Sequence, residues 1–318
     1  MHAENVAAHL HARRERDEDN EELLPFAGKT APRANLYKPA AKCSIDRWLT
    51  KIQHEENPPN VAQLAFLVAL ADRLKTEIAE ELSNSKAKTT REPLLDVVHG
   101  LPGTGKTRVI AWIRRLFEEA LGWRHGVQFV MLAFQNSMAA HIDGFTIHHW
   151  AGIPVNAEAG RSGTKNATKM STQCQCLRFV IIDEISMVSA ELLGQLERIV
   201  TKVTRIRSGY KLRASDGSTR VFGGANVIFM GDWWQLQPVR STAIFGNPYL
   251  RPSAVAGQGL DLFWNQGLDT IRGLWELTEL KRCEDSWYNA VLMQCRHGRL
   301  DLDTYCLFHG LPTLTPAS

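Results

Sequence analysis

Four short apolar runs punctuate this chain, and each ends at polar residues. They are Leu94–Val98, Val127–Ala133, Phe179–Ile182 and Ala225–Met230. β-Branched and aromatic residues dominate them. A run apolar at successive positions, rather than at alternate ones, predicts a strand covered on both faces, as in a parallel sheet. Between the runs the period changes. Val61, Leu64, Ala65, Leu67, Val68, Leu70, Ala71 and Leu74 form a wide helical stripe, with Pro58 and Pro59 just ahead of it. The helical pattern extends from Ser44 to about Glu80, and Arg108–Leu121 is a second amphipathic stretch. Strands alternating with helices predict an α/β fold with right-handed crossovers. In such sheets ligands sit at the carboxyl ends of the strands.

The end of the first strand carries the most specific chemistry. Gly100-Leu101-Pro102-Gly103-Thr104-Gly105-Lys106-Thr107 satisfies the pattern G-x-x-x-x-G-K-[ST]. It lies between a strand and a helix, as that motif requires. Glycines let backbone N–H groups close around phosphate oxygens. The following helix aims its unpaired donors and its positive dipole end at the same anion. Lys106 is placed to reach β- and γ-phosphates, and the Thr107 hydroxyl to ligate Mg²⁺. The fold class expected is therefore a three-layer α/β P-loop NTPase with a central, mostly parallel sheet.

Two further strand ends point to the same chemistry. Phe179–Ile182 leads into Asp183 and Glu184. Beside a phosphate loop, Asp183 can support a Mg²⁺ shell and Glu184 can orient and deprotonate an attacking water. Successive side chains of a strand point to opposite sides, which suits that division. The Ala225–Met230 run leads into Gly231-Asp232-Trp233-Trp234-Gln235-Leu236. Gln235 is placed to sense the γ-phosphate or the lytic water, and Asp232 to join the metal shell indirectly. Trp233 and Trp234 read as packing residues, with base stacking as the alternative.

Composition changes this picture little. The chain has 318 residues and a formal net charge of +3, too small by itself to imply a polyanion partner. No apolar run is long enough to span a membrane, and the polar start MHAENVAAHLHARRERDEDNEE is not a secretory signal. The six cysteines, Cys43, Cys174, Cys176, Cys283, Cys295 and Cys306, show no paired CxxC spacing and read as reduced thiols. Asn156–Gln175 reads as a surface loop. Thr201–Arg220 carries Lys202, Arg205, Arg207, Lys211, Arg213 and Arg220. It is either a basic hairpin for a nucleic-acid backbone or a solvated insertion.

The set GLPGTGKT, Thr146-Ile147-His148, VIIDEISMVSAELL, FGGANVIFMGDWWQLQPV and LTELKRCEDSWYNAVLMQCRHGRLD resembles the Petite Integration Frequency DNA helicases. These are RecD-like members of helicase superfamily one. Asp183-Glu184-Ile185-Ser186-Met187-Val188, followed by Gly231-Asp232-x-x-Gln235-Leu236-x-Pro238-Val239, is the most diagnostic part. The resemblance runs from Gln63 to Gly298. It implies a RecA-like domain that binds ATP and single-stranded DNA, and an ATP-dependent helicase of 5′-to-3′ polarity serving repair and recombination. By resemblance Gln63 recognises adenine and Lys106 and Thr107 bind phosphate and Mg²⁺. Asp183 supports the metal, Glu184 activates water and Gln235 senses the γ-phosphate. Arg282 contacts the γ-phosphate, and Thr146 and His148 contact DNA. For those last two, a helix turn capped by Thr with a surface His is the alternative.

The chain also departs from that family. Ala133-Phe134-Gln135-Asn136-Ser137-Met138 stands where Ala-Pro-Thr-Gly is usual, and Cys283 follows Arg282 where Gln is frequent. The expected organisation is a polar leader at 1–43, a helical region at 44–92, the ATPase domain at 93–300 and a tail at 301–318. That tail would lead to a second RecA-like domain, so a fragment of a longer motor is expected. The competing readings are another P-loop ATPase of the AAA type and an inactive nucleotide-binding relic. The expected compartment is the nucleus, with the mitochondrion as the alternative.

Overall fold

The computed structural model describes residues 41–82, 92–154, 176–204, 219–249, 251–265, 270–280 and 285–311. Six strands form one sheet in which every pairing is parallel. They are β1 (Leu95–Gly100), β2 (Phe129–Ala133), β3 (Phe145–Thr146), β4 (Phe179–Asp183), β5 (Asn226–Gly231) and β6 (Gly273–Leu277), in the spatial order β3-β2-β4-β5-β1-β6. The four apolar runs are thus four of the strands. Every residue of β2, β4 and β5 is buried. β6 and β3 lie at the two edges, and neither is signalled by a continuous apolar run. β6 buries only alternate positions and β3 has two residues.

Alternation of side chains splits each central strand between two cores. Phe129, Met131, Ala133, Phe179, Ile181, Ile228 and Met230 pack into one face. Val130, Leu132, Val180, Ile182, Val227 and Phe229 pack into the other. The first face is covered by α1 (Ile45–Gln53), α2 (Val61–Leu82) and α3 (Lys106–Arg115). The second is covered by α6 (Ala190–Thr204) and α7 (Ala254–Trp264). Short helix α4 (Asn136–His141) joins β2 to β3, α5 (Ile147–Ala151) follows β3, and α8 (Ser286–His297) and α9 (Leu302–Phe308) follow β6. The result is the three-layer α/β arrangement expected. Among the described residues no helix is long and apolar enough to cross a membrane.

Local sequence explains the helix limits. Ser44 caps α1 by accepting from the Arg47 N–H. The helical pattern from Ser44 onward breaks at 54–60, where Pro58 and Pro59 stand, and resumes at Val61. α3 begins two residues before the expected Arg108, directly from the phosphate loop, and continues through a π-turn at Leu116–Ala120. Glu55, between α1 and α2, receives the Arg115 fork at 2.6 and 3.1 Å and the Trp112 indole N–H at 3.4 Å. That fixes the helical region of α1 and α2 to the helix that follows the loop.

The basic segment after α6 is reinterpreted in part. Arg205, Arg207, Lys211 and Arg213 lie outside the described residues, as does the whole of Asn156–Gln175. Arg220 does not face solvent. Its guanidinium is buried and grips Glu92 at 2.8 and 2.9 Å, so it is no phosphate contact. A buried cation needs this partner, because unpaired burial of charge is costly.

The α6–α7 contact depends on two glycines. A Cβ at Gly194 would lie 2.1 Å from the Val255 carbonyl oxygen, and one at Gly259 would lie 2.0 Å from that of Ala190. Backbone cannot yield cheaply there. Gly259→Ala should destabilise the protein by about 1–3 kcal/mol. Urea unfolding followed by circular dichroism checks this. An unchanged midpoint would mean the helices are not seated this closely.

Candidate nucleotide site

Register sets the site. β5 lies between β4 and β1, and His99 of β1 pairs with Gly231 of β5. The ends of β1, β4 and β5 therefore emerge at one edge. Gly100 starts the phosphate loop there, Asp183 ends β4, and the turn 232–235 leaves β5.

The loop is held by its own side chains. Gly103 and Gly105 have φ of 87° and 84°, a conformation that L side chains rarely adopt. Thr104 is fully buried and its hydroxyl donates to the Leu101 carbonyl at 2.8 Å. Lys106 opens α3 and its ammonium donates to the carbonyls of Gly100 at 2.7 Å and Leu101 at 3.1 Å. Thr107 is exposed in the first helical turn.

Gln63 sits behind this loop, 3% exposed. Its Oε1 accepts from the Asn60 N–H at 3.0 Å and Asn60 Oδ1 accepts from the Gln63 N–H at 2.9 Å. This reciprocal pair caps α2. Its Nε2 donates to the Thr104 carbonyl at 3.0 Å. Both ends of the amide are thus engaged, and Gln63 braces the loop from behind rather than lining the cleft.

A cleft of about 360 Å³ opens in front of the loop. Pro102, Gly103, Gly105, Lys106, Thr107, Glu184 and Gln235 line it. Lys106, Glu184 and Gln235, drawn from three strand ends, thus share one wall. Asp183, at the end of β4, is buried beside Glu184 and feels the charge of Lys106, but it is not among the residues that line the cleft. The Asp183 carboxyl is pushed up to about 7, by burial first and the charge of Glu184 second, with the Glu184 N–H and Lys106 opposing the rise. Burial also raises the Glu184 carboxyl, with Lys106 opposing and Asp232 adding to the rise. Glu184 has φ of 51° and ψ of 48°, an uncommon conformation for a residue other than glycine. Its Oε2 is buried and has no hydrogen-bond partner. Glu184 lies just outside β4, in a left-handed turn, so the strand alternation read from the sequence does not extend to it.

This donor set suits a small hard cation. It offers the Thr107 hydroxyl, the Asp183 carboxylate and an unpartnered buried oxygen of Glu184 in front of a phosphate loop, all oxygen donors. No group of three or more His, Cys, Asp or Glu is arranged to hold a metal among the described residues. A Mg²⁺ here would need phosphate oxygens and waters to complete its shell.

Other expected residues fall elsewhere. Asp232 is not available to a metal shell. It is fully buried and its two carboxylate oxygens receive the Arg296 fork at 2.6 Å each. Trp233 packs edge-on against Phe245 and Phe263 and stacks with His99, whereas Trp234 is 66% exposed. Thr146 caps α5 by accepting from the His149 N–H at 3.2 Å. His148 is half-buried beside Phe134, and burial lowers its pKa. Both belong to the β3–α5 junction, on the far edge strand, and not to the cleft. Arg282 lies outside the described residues. Arg296 and His99, by contrast, emerge only from the structure. Arg296 stands 64 positions from its partner Asp232, a pairing without any local signal.

Residues 75–245, more than half of the chain, match the model of a family described as PIF1-like helicase. The chain belongs to the PIF1-like helicase family. The ATP-dependent DNA helicase PIF1 of Saccharomyces cerevisiae (strain YJM789) is 31% identical over 144 residues, covering 44% of this chain and 15% of that protein. The ATP-dependent DNA helicase PIF1 of Homo sapiens is 30% identical over 199 residues, covering 58% of this chain and 27% of that protein. The matched part thus spans less than a third of these relatives. The crystal structure of the Pif1 helicase from Candida albicans superposes with a TM-score of 0.52 at 23% identity, over 80% of this chain and 47% of that one. That likeness is one of fold, and it agrees with the RecA-like architecture.

The raised Asp183 carboxyl has a thermodynamic consequence. The folded chain holds a proton that the unfolded chain, with an ordinary value of 3.8, releases between about pH 4 and 7. Stability therefore falls as pH rises through that window. Asp183→Asn should raise the melting temperature at pH 7.5 by several degrees and flatten its decline between pH 4 and 7. Thermal melts across that range test this, and a lower melting point for the variant at pH 7.5 would refute the assigned environment.

Proposed function

We propose that this chain is the nucleotide-hydrolysing, RecA-like unit of an ATP-dependent DNA helicase. Its substrate is Mg-ATP and its track is single-stranded DNA. The observation that carries this reading is the shared cleft of Lys106, Glu184 and Gln235, lined also by the phosphate loop, with Asp183 buried next to Glu184. Family membership supports the same assignment.

Each residue has a task that its chemistry suits. Lys106 exchanges the carbonyls of Gly100 and Leu101 for β- and γ-phosphate oxygens, which bear more charge and bind it more strongly. Thr107 and Asp183 would hold a Mg²⁺, which when bound would offset charge on the phosphates. A cation there would favour the carboxylate form of Asp183, its proton passing to solvent. Glu184 then faces a water in the cleft and takes its proton; a raised carboxyl is a better base than an ordinary one. Gln235 donates to the γ-phosphate or orients that water. Gln63 serves the nucleotide through Thr104, and its second amide hydrogen and second oxygen lone pair are the groups that adenine recognition would use. Arg282 supplies positive charge to the transferred phosphoryl group.

The rest of the proposal comes from the resemblance. It comprises Thr146 and His148 as DNA contacts, 5′-to-3′ movement, work in repair and recombination, and a nuclear setting. The 93–300 segment is the ATPase domain, and the 44–92 helices brace it. A motor of this kind moves when a second RecA-like domain closes on the nucleotide, and we assign such a domain as its working partner.

Lys106→Ala should weaken ATP binding severely by calorimetry, since a charge-assisted contact is lost. Glu184→Gln should keep binding and slow DNA-stimulated turnover by roughly 10²–10⁴-fold. Undiminished affinity in the first variant, or unchanged turnover in the second, would overturn these roles. ATP hydrolysis indifferent to single-stranded DNA in the wild-type chain would count against a helicase and favour another P-loop ATPase.

A further inference from the structure

Asp232 is fully buried at the end of β5, one turn before Gln235. Its surroundings tie three parts of the molecule together. Arg296, in the last turn of α8, donates Nη1 to Oδ2 and Nη2 to Oδ1, both at 2.6 Å. The Trp234 N–H donates to Oδ1 at 3.1 Å, and the Gln235 N–H donates to the Asp232 carbonyl at 3.1 Å. Asp232 therefore organises the turn that carries Gln235 to the cleft. The Arg296 guanidinium also lies 5.5 Å from the centre of the Trp234 ring. It holds both the acid that starts the turn and the indole beside Gln235. On the other side, His99 Nε2 is 3.4 Å from Asp232 Oδ1, and its ring stacks with Trp233.

We propose that Arg296 is a positioning residue: through its fork on Asp232 it fixes the 232–235 turn so that Gln235 stays on the wall of the cleft. This rests on the reading of the cleft as an ATPase site. The physics favours a rigid device. A two-bond fork between planar groups fixes orientation as well as distance. Without it a buried carboxylate beside Glu184 loses its counter-charge, and the turn must rearrange to hydrate it. Arg296 is not among the residues that line the cleft, so on this reading its influence reaches the reaction through the turn that carries Gln235. A displacement of the order of 1 Å at such a group is enough to lower turnover about 10²-fold.

The test has one arm that needs no activity. Hydrogen exchange of the full chain should show faster exchange at 233–236 in Arg296→Ala, with exchange at 103–107 the same as in the wild type. Arg296→Lys retains a charge opposite Asp232 and loses the fork; it keeps the protein folded should the alanine variant not fold, and it should show the same local change. In the second arm, Arg296→Lys should lower kcat for DNA-stimulated hydrolysis roughly 10–100-fold with ATP affinity within twofold. Combined with Gln235→Ala, it should add nothing further, because both act at one group. Unchanged exchange at 233–236 in the lysine variant overturns the proposal, as does a multiplicative loss in the double variant. If wild-type turnover proves independent of DNA, the helicase reading fails, while the exchange arm still decides the role of Arg296.

Discussion

Two buried carboxylates, Asp183 and Asp232, and a half-buried one, Glu184, stand where the central strands end, and of these only Asp232 is given a full counter-charge. Asp232 has the Arg296 fork. Asp183 and Glu184 share the influence of a single ammonium, that of Lys106, which is itself bonded to loop carbonyls. Both carboxyls are pushed upward by burial, and one Glu184 oxygen has no partner. The fold therefore holds unmatched negative charge in front of a loop built to accept a polyanion. Neither charge state of that cleft is comfortable alone. A polyanion and a divalent cation together satisfy both halves, since the phosphates meet Lys106 and the loop N–H groups while the cation meets the acids.

That arrangement is tolerable because the scaffold around it is over-determined. The central strands fill two separate cores with alternate residues, so their register cannot slip without exposing one set and burying the wrong partner. Strand ends are then fixed in space, and with them the loop, the acids and the sensing turn. The phosphate loop is braced a second time from outside the sheet, by Gln63 at the start of α2. The strained backbone at Glu184 persists for the same reason. Ile185, Val188 and Ala190, immediately after it, are fully buried, so the turn is held on its far side by packing.

Much of this is legible in the sequence because it is local. A strand covered on both faces must be apolar at successive positions, which reveals β1, β2, β4 and β5. The phosphate loop must contain glycines where φ is positive, and Gly103 and Gly105 stand there. β6 escapes because it is an edge strand, where Leu274 and Glu276 face outward and break the run. The long-range contacts escape for a different reason. Gln63 and Thr104 are 41 positions apart, Asp232 and Arg296 are 64, and Glu92 and Arg220 are 128. A single chain carries no mark of which distant polar residue answers which. Hence Asp232 reads as a metal-shell acid and Arg220 as a phosphate contact, when each has a buried partner of opposite charge.

The contrast between Asp183 and Asp232 shows why partners rather than residue type decide function. Both are buried aspartates at the carboxyl ends of neighbouring strands, β4 and β5. An arginine fork holds the Asp232 carboxyl below its ordinary range despite burial, so it stays charged and spends its oxygens on geometry. Asp183 has no such fork and is pushed up to about 7 by burial first and Glu184 second, so it exchanges a proton near neutral pH as its surroundings change. One acid is therefore a fixed strut and the other a responsive ligand, and much of the difference comes from a guanidinium contributed by a helix that follows the last strand, with the Trp234 N–H adding to it on Asp232 and the charge of Glu184 on Asp183.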